Sequence, residues 1–455
     1  MENKRGFGSR LGFILSMAAF CIGIGNLWKF PYMVGNNGGG AFLVVYLLAV
    51  ILVGIPGFLI ELTLGRKSQL SPVKGMAQLE GKKRTPWSII GVTGMAAIFI
   101  MVSYATTIVG GWTLAYIVKI ATGQLSGLTP DQIAATFGET AGAPYTIAFS
   151  AIEAILLWLC LNGGVKKGVE KICSILLPTL FVIMIGLAIY ANLLPGAGKG
   201  LAWYLTPNLQ NITASGVAAA AVQVLYSVGI GMCCAFVYGS YFDPKGNLPK
   251  SSLITAGMDS GIAILAGLIC VPALFSFGIE PTAGPSLIFI TLPNLFNAMG
   301  GFGIVFGLLF MLCVFFAGFT SNVGGSEALV ASFSDSTKLS RRKVATIVVI
   351  AQFLFSIPFT LSFQGTGFFG EFKCLGLGFF DFFCLISDIC LCLGAIAMLA
   401  YVIFRWGFKK FQEAANEGAT GKIRVRGWMK SYLFFIYPIV LLVVLFFLIK
   451  GYFPS

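Results

Sequence analysis

Cys21-Ile22-Gly23-Ile24-Gly25-Asn26 and Val228-Gly229-Ile230-Gly231-Met232-Cys233 interrupt two hydrophobic stretches with glycine at what would be mid-membrane depth. Backbone freed from its helical ladder inside a bilayer is tolerated only where it lines a cavity or is covered by protein. Each break therefore marks a candidate binding site. The two fall in the first and sixth of eleven apolar runs, the same ordinal position in two successive groups of five. That placement predicts a 5+5 inverted repeat whose broken helices meet at the bilayer midplane. Close helix packing through small residues would be the better explanation of one such pair alone. Two pairs at matching positions, each beside an uncharged polar residue (Asn26, Ser227), favour broken helices.

The rest of the chain fits that frame. With 57% hydrophobic and 10% charged residues and a mean hydropathy of +0.90, the composition excludes a soluble domain and predicts an all-α membrane protein. The apolar runs lie near 10–33, 41–65, 88–120, 145–163, 167–191, 214–240, 250–277, 302–333, 343–363, 376–405 and 431–451. Each is long enough to cross about 30 Å of hydrocarbon. The expected organisation is one transmembrane domain over 1–455, with repeats at about 10–191 and 214–405 and an extra helix at 431–451. The segment 280–299, with Pro281, Pro285 and Pro293, reads as a re-entrant or capping loop on the outer face.

A net charge of +13 invites a nucleic-acid partner, but the cations fall in alternate loops rather than on one surface. Lys4, Arg5, Arg10, Arg66, Lys67, Lys166, Lys167, Arg341, Arg342, Lys343 and the cluster from Arg405 to Lys430 fall on one side; Lys119, Lys199, Lys373 and Lys450 fall on the other. The positive-inside rule then puts the N-terminus in the cytoplasm and the C-terminus outside a plasma membrane. The first run has no small-residue cleavage site and is expected to be retained. The eleven cysteines lie almost wholly in apolar runs, as packing residues rather than a disulfide framework. There is no histidine, no paired-carboxylate site and no Cys-x-x-Cys, so an enzyme is not expected and no catalytic residue is assigned.

Gly25-Asn26-Leu27-Trp28-Lys29-Phe30-Pro31-Tyr32, Asn37-Gly38-Gly39-Gly40-Ala41-Phe42 and Gly54-Ile55-Pro56 resemble the first two spans of neurotransmitter:sodium symporters. Gly111-Trp112-Thr113-Leu114, Tyr238-Gly239-Ser240-Tyr241, Ala317-Gly318-Phe319-Thr320-Ser321 and Lys338-Leu339-Ser340-Arg341 extend the likeness through the ninth span, and loosely the tenth. Eleven spans suit the prokaryotic, amino-acid-transporting branch with the leucine-transporter fold. The resemblance implies alternating-access symport driven by sodium, a hard cation suited to oxygen ligands. It maps a first sodium onto the Cys21 carbonyl, Asn26, Ser227 and Asp259, and a second onto the carbonyls of Ala19, Ile22 and Ala317 with the hydroxyls of Thr320 and Ser321.

Asp259 stands out on physical grounds too, because an ionisable side chain in mid-span is costly and functional by default. In chloride-requiring relatives this position resembles an asparagine and a serine one turn later helps bind the anion; here that later residue is Ala263, although Tyr46, Gln223 and Ser227 remain. The expectation is chloride-independent transport in which Asp259 supplies the negative charge, with proton cycling an open option.

Gly23 occupies the position where monoamine carriers of this family have aspartate, which leaves room for a substrate carboxylate beside Gly25 and the helix dipole. The expected substrate is an amino acid or other zwitterion. By resemblance its side chain meets Val102, Thr106, Tyr226, Gly229, Met232, Ser321 and Gly325, with glycines at 229 and 325 leaving volume for a hydrophobic or aromatic group. A small aliphatic amino acid stays open if neighbouring side chains fill that room. Thr106 stands where the family has a carboxylate-binding tyrosine, and α-helical spacing turns Tyr104 elsewhere. Lys29, in place of a more frequent arginine, is expected to pair with Asp381 or Asp388 as an outer gate; Lys4 or Arg5 with Asp335, near Tyr241 and Glu327, as an inner one. A non-transporting sensor of the same fold is the other functional class. Expected partners are the amino-acid substrate and the lipid bilayer, with no nucleic acid and a monomeric or weakly oligomeric state.

Overall fold

The computed structural model describes residues 6–279 and 287–453. Among them nine continuous helices are long and apolar enough to cross a membrane: Gly40–Ser68, Pro86–Ala121, Pro144–Asn162, Val165–Leu193, Leu248–Ser276, Gly301–Ser336, Arg341–Gln364, Phe379–Trp406 and Met429–Tyr452. Arg10–Cys21 and Ile24–Asn36 form a further span bent by 61° at the predicted break. The remaining run is split into Ala214–Val228 and Cys234–Ser240, each too short to cross alone. The all-helical fold with interrupted first and sixth spans is thus as the glycine pattern predicts.

Local chemistry explains where these two spans start and stop. Ser9 and Thr213 cap them, their hydroxyls accepting from the amides of Gly12 (2.9 Å) and Gly216 (3.0 Å). At the first break Ile22 turns extended (φ −75°, ψ 91°). The Gly23 amide, which an unbroken helix would give to Ala19, donates to Asn26 Oδ1 at 3.2 Å, and the Asn26 amide turns to the Gly23 carbonyl. The carbonyls of Ala19 and Ile22 thereby lose their helical donors.

The second break is a run of left-handed residues, Gly229 (φ 70°), Gly231 (φ 94°) and Cys233 (φ 62°). A Cβ on Gly231 would lie 1.8 Å from the Leu391 carbonyl oxygen, so only glycine fits. Glu61, buried in the second span, accepts from the Gly231 amide and replaces the lost helical partner. Cys233, a non-glycine in left-handed backbone, costs roughly 1–3 kcal/mol.

The broken spans sit at the centre. Arg10–Cys21 packs against Gly301–Ser336, Leu248–Ser276 and Lys171–Leu193, and Cys234–Ser240 lies on Ile55–Ser68. That second contact is close because Gly65 and Gly239 have no side chains where the Phe236 and Leu62 carbonyls approach. The outer surface exposes Ile51, Val182, Leu193 and Phe404, the apolar exterior a bilayer requires. Part of the expected outer loop, 280–286 with Pro281 and Pro285, lies outside the described residues. The following helix, Thr291–Ala298, is described, and Phe289 just before it packs on Trp112 (5.6 Å) and Phe137 (5.3 Å).

Candidate functional site

A cavity of about 610 Å³ lies between the two breaks and opens past Lys29, Asp381 and Asp388. Its inner wall is freed backbone and short polar side chains: Cys21, Gly23, Gly25, Asn26, Ser227 and Ser321. The remainder is apolar, with Phe20, Ile24, Met101, Val102, Ile108 and Met232 prominent.

Two clusters of oxygen atoms flank this cavity. In the first, Asn26 Nδ2 donates to Asp259 Oδ1 (2.8 Å) and to the Asp259 carbonyl (3.0 Å), which holds the amide so that Oδ1 of Asn26 faces Ser227 (3.3 Å). The Ser227 hydroxyl lies 2.9 Å from both carboxyl oxygens of Asp259. Asn26 and Asp259 are each only 1% exposed, and Asp259 has no basic partner among the described residues. A buried carboxylate without a cation is expensive, and this cluster of side-chain oxygens suits a hard monovalent cation. The Cys21 thiol points to the Val228 carbonyl at 3.8 Å, tying the two breaks together.

In the second cluster the Thr320 hydroxyl lies 3.3 Å from the Ala19 carbonyl, 3.2 Å from that of Ala317 and 2.9 Å from that of Phe316. Ser321 donates to the Phe20 carbonyl at 2.9 Å. The carbonyls of Ala19 and Phe20 at the first break thus meet the hydroxyls of the eighth span. A Cβ on Gly23 would fall 3.2 Å from Ser321 Oγ, which explains glycine at that position.

Three of the substrate-contact expectations are not met by the geometry. Thr106 is fully buried behind the wall, donating to the Val102 carbonyl (3.1 Å) and accepting from Asn322 (3.1 Å) and Gln352 (2.9 Å). Tyr104 lines the cavity instead, its hydroxyl bonded to that of Tyr226. Tyr104 stands two residues before Thr106 in the α-helix Ile89–Ala105, so it faces a different side from Thr106, and that side is the cavity. Gly229 and Gly325 do not line the cavity. Phe20 fills the space beside Gly229, its ring 2.7 Å from where a Cβ would be, and Val102 and Ile98 fill that beside Gly325.

At the cavity mouth Lys29 stands over the Tyr226 ring, 5.1 Å from its centre, and makes no ion pair among the described residues. Lys29, Asp381 and Asp388 all line the cavity. Asp388 also accepts from the Tyr452 hydroxyl of the last helix at 2.8 Å. At the other end Glu327 is held by Arg341 (3.0 Å) and Tyr241 (3.1 Å). Asp335 accepts from the Ser71 amide at 2.9 Å, and its carbonyl accepts from Lys74. Lys4 and Arg5 lie outside the described residues.

Comparison with known proteins follows the same lines. The chain matches the model of the "Sodium:neurotransmitter symporter family" over residues 4–134 and 133–455. It is 32% identical over 441 residues to the uncharacterized sodium-dependent transporter YhdH of Bacillus subtilis (strain 168), covering 96% of each chain. An uncharacterized sodium-dependent transporter of Haemophilus influenzae is 30% identical over 456 residues, covering 97% of this chain and 98% of the relative. Among solved structures, MhsT in complex with L-phenylalanine superposes with a TM-score of 0.85 at 34% identity, covering 98% of this chain and all of that one.

Proposed function

We propose, from the premise that the chain belongs to the sodium:neurotransmitter symporter family and is a multi-pass, sodium-dependent membrane transporter and not an enzyme, that it carries a hydrophobic or aromatic L-amino acid inward with sodium. The observation that carries this reading is the 610 Å³ cavity, with freed helix backbone and oxygen clusters at one wall and apolar side chains over the rest. The L-phenylalanine bound in MhsT supports the same class.

In this reading the first sodium takes the Cys21 carbonyl, Asn26, Ser227 and Asp259, and sits against the substrate carboxylate at Gly23 and Gly25. The second takes the carbonyls of Ala19, Ile22 and Ala317 with Thr320 and Ser321. Because ligands of both ions come from the first break, filling either site fixes its backbone and favours the other, which is the linkage that couplers require. Asp259 neutralises the first ion, which makes chloride unnecessary. Tyr104 and Tyr226 roof the substrate, and Lys29 closes on Asp381 or Asp388 when the outer side shuts. Opposite, Arg341 and Tyr241 on Glu327 belong to the inner latch. The single domain spans a plasma membrane with its N-terminus in the cytoplasm, by the loop charge asymmetry.

Uptake of each of the twenty amino acids into proteoliposomes, with sodium chloride, sodium gluconate or potassium chloride outside, tests this. Accumulation of bulky apolar amino acids in both sodium buffers and not in potassium is expected. Collapse of uptake in gluconate would remove the charge role given to Asp259; binding without accumulation would identify a sensor.

A further inference from the structure

A groove of about 550 Å³ that shares no lining residue with the central cavity lies between Pro144–Asn162 and Arg341–Leu361. Trp158, Leu159 and Ile347 wall it, and Asn162, Arg342 and Lys343 stand at its rim. The Trp158 indole donates across the groove to the Thr346 hydroxyl at 2.9 Å, and that hydroxyl donates to the Arg342 carbonyl at 3.0 Å, so the two helices are pinned at fixed spacing. Below the rim Ile347, Ile350 and Leu354 on one helix and Ile155 and Leu159 on the other are exposed at helical spacing, forming two facing apolar tracks.

The charges at the rim are the informative part. Arg341 turns inward and is consumed by Glu327. Its neighbours Arg342 and Lys343 face outward and make no ion pair among the described residues. Two cations without an ion pair above an apolar furrow, beside a tryptophan, a ring type that favours membrane interfaces, form a complement to one class of molecule. We propose that this groove holds a diacyl phospholipid with an anionic headgroup, its phosphate on Arg342 and Lys343 and one acyl chain along Ile347 and Leu159. Basic pockets between membrane helices recognise such headgroups by charge.

The test uses the detergent-purified full chain and native mass spectrometry with added phosphatidylglycerol, phosphatidylcholine or inorganic phosphate. Phosphatidylglycerol should be retained in preference to phosphatidylcholine. Taking about fivefold for each cation, R342Q/K343Q should weaken that retention by roughly 10- to 30-fold. Ile347→Trp, which fills the furrow and leaves the charge alone, should also weaken it. All variants should keep the thermal midpoint of the parent in lipid-free detergent, which certifies folding. Equal retention by R342Q/K343Q overturns the proposal, as does equally tight binding of inorganic phosphate, which would make the rim a plain anion site. A dimer that Ile347→Trp dissociates would also overturn it, because the occupant would then be a second copy of this chain.

Discussion

Around Asn26, Ser227 and Asp259 the oxygens include a carboxylate, whereas around Ala19, Ala317, Thr320 and Ser321 every oxygen is a carbonyl or a hydroxyl. Both clusters border the same break in the first span, and both are buried but for Ser321, which lines the cavity. Yet they arise differently. The first is held by side chains that bond one another, so its shape survives even where the backbone shifts. The second joins the Ala19 carbonyl, which the break frees, to a carbonyl and a hydroxyl of the unbroken eighth span, and it depends on the first and eighth spans standing at their present separation. A charged, self-supporting cluster suits an ion bound in every conformation that holds substrate; a neutral one assembled between two helices suits an ion whose release accompanies their separation.

The sharpest way to break this contrast is Asp259→Asn, which keeps the shape and the bonds to Asn26 and Ser227 but removes the charge. Loss of one partner from a buried charge pair costs about 3–5 kcal/mol, so sodium-driven uptake at fixed sodium should fall by more than about 100-fold. Proteoliposome uptake across a sodium titration reads this directly. Partial recovery in high chloride would sharpen the comparison by showing that an anion can take the place of the carboxylate. An unchanged sodium half-saturation would end it.

Thr320→Val probes the neutral cluster with little change of volume. Hydrogen bonds and ligand contacts to a charged partner are worth roughly 1.5–3 kcal/mol, which predicts a rise of about 10- to 100-fold in the sodium concentration for half-maximal uptake. The chloride response should not change, because no charge is involved. Were Thr320→Val to create a chloride requirement, the two clusters would not be electrostatically separate.

How much of this was legible in the chain depends on whether the relevant neighbour is local. The breaks at Gly23 and Gly229 to Gly231 follow from glycine inside apolar runs, and Asp259 declared itself as a carboxylate in mid-span. The family motif around Gly25 to Tyr32 set the fold. What failed was cavity shape. Gly229 and Gly325 suggested open volume, but Phe20, Val102 and Ile98 from other elements occupy it, and nothing near either glycine in sequence announces them. Thr106 takes the family's tyrosine position only by resemblance, and the structure turns it toward Asn322 and Gln352 while Tyr104, two residues earlier, faces the cavity. The chain offers Lys29 both Asp381 and Asp388, and the tenth span brings both to the cavity lining, so sequence spacing does not choose between them.

Tyr104→Phe lies outside both clusters and sets the scale for a substitution confined to the wall of the cavity. Its hydroxyl bonds Tyr226 at the roof of the cavity, so its loss removes a hydrogen bond worth about 0.5–1.5 kcal/mol. The ring, and with it the apolar wall, stays in place. The expected result is a two- to tenfold rise, roughly, in the KM for a bulky amino acid, with the sodium half-saturation and the chloride response both as in the parent. A joint shift in substrate and sodium dependence would mean that the roof and the first cluster act as one unit. The charged cluster would then not be self-supporting, because its shape would depend on a residue of the third span that touches none of its oxygens.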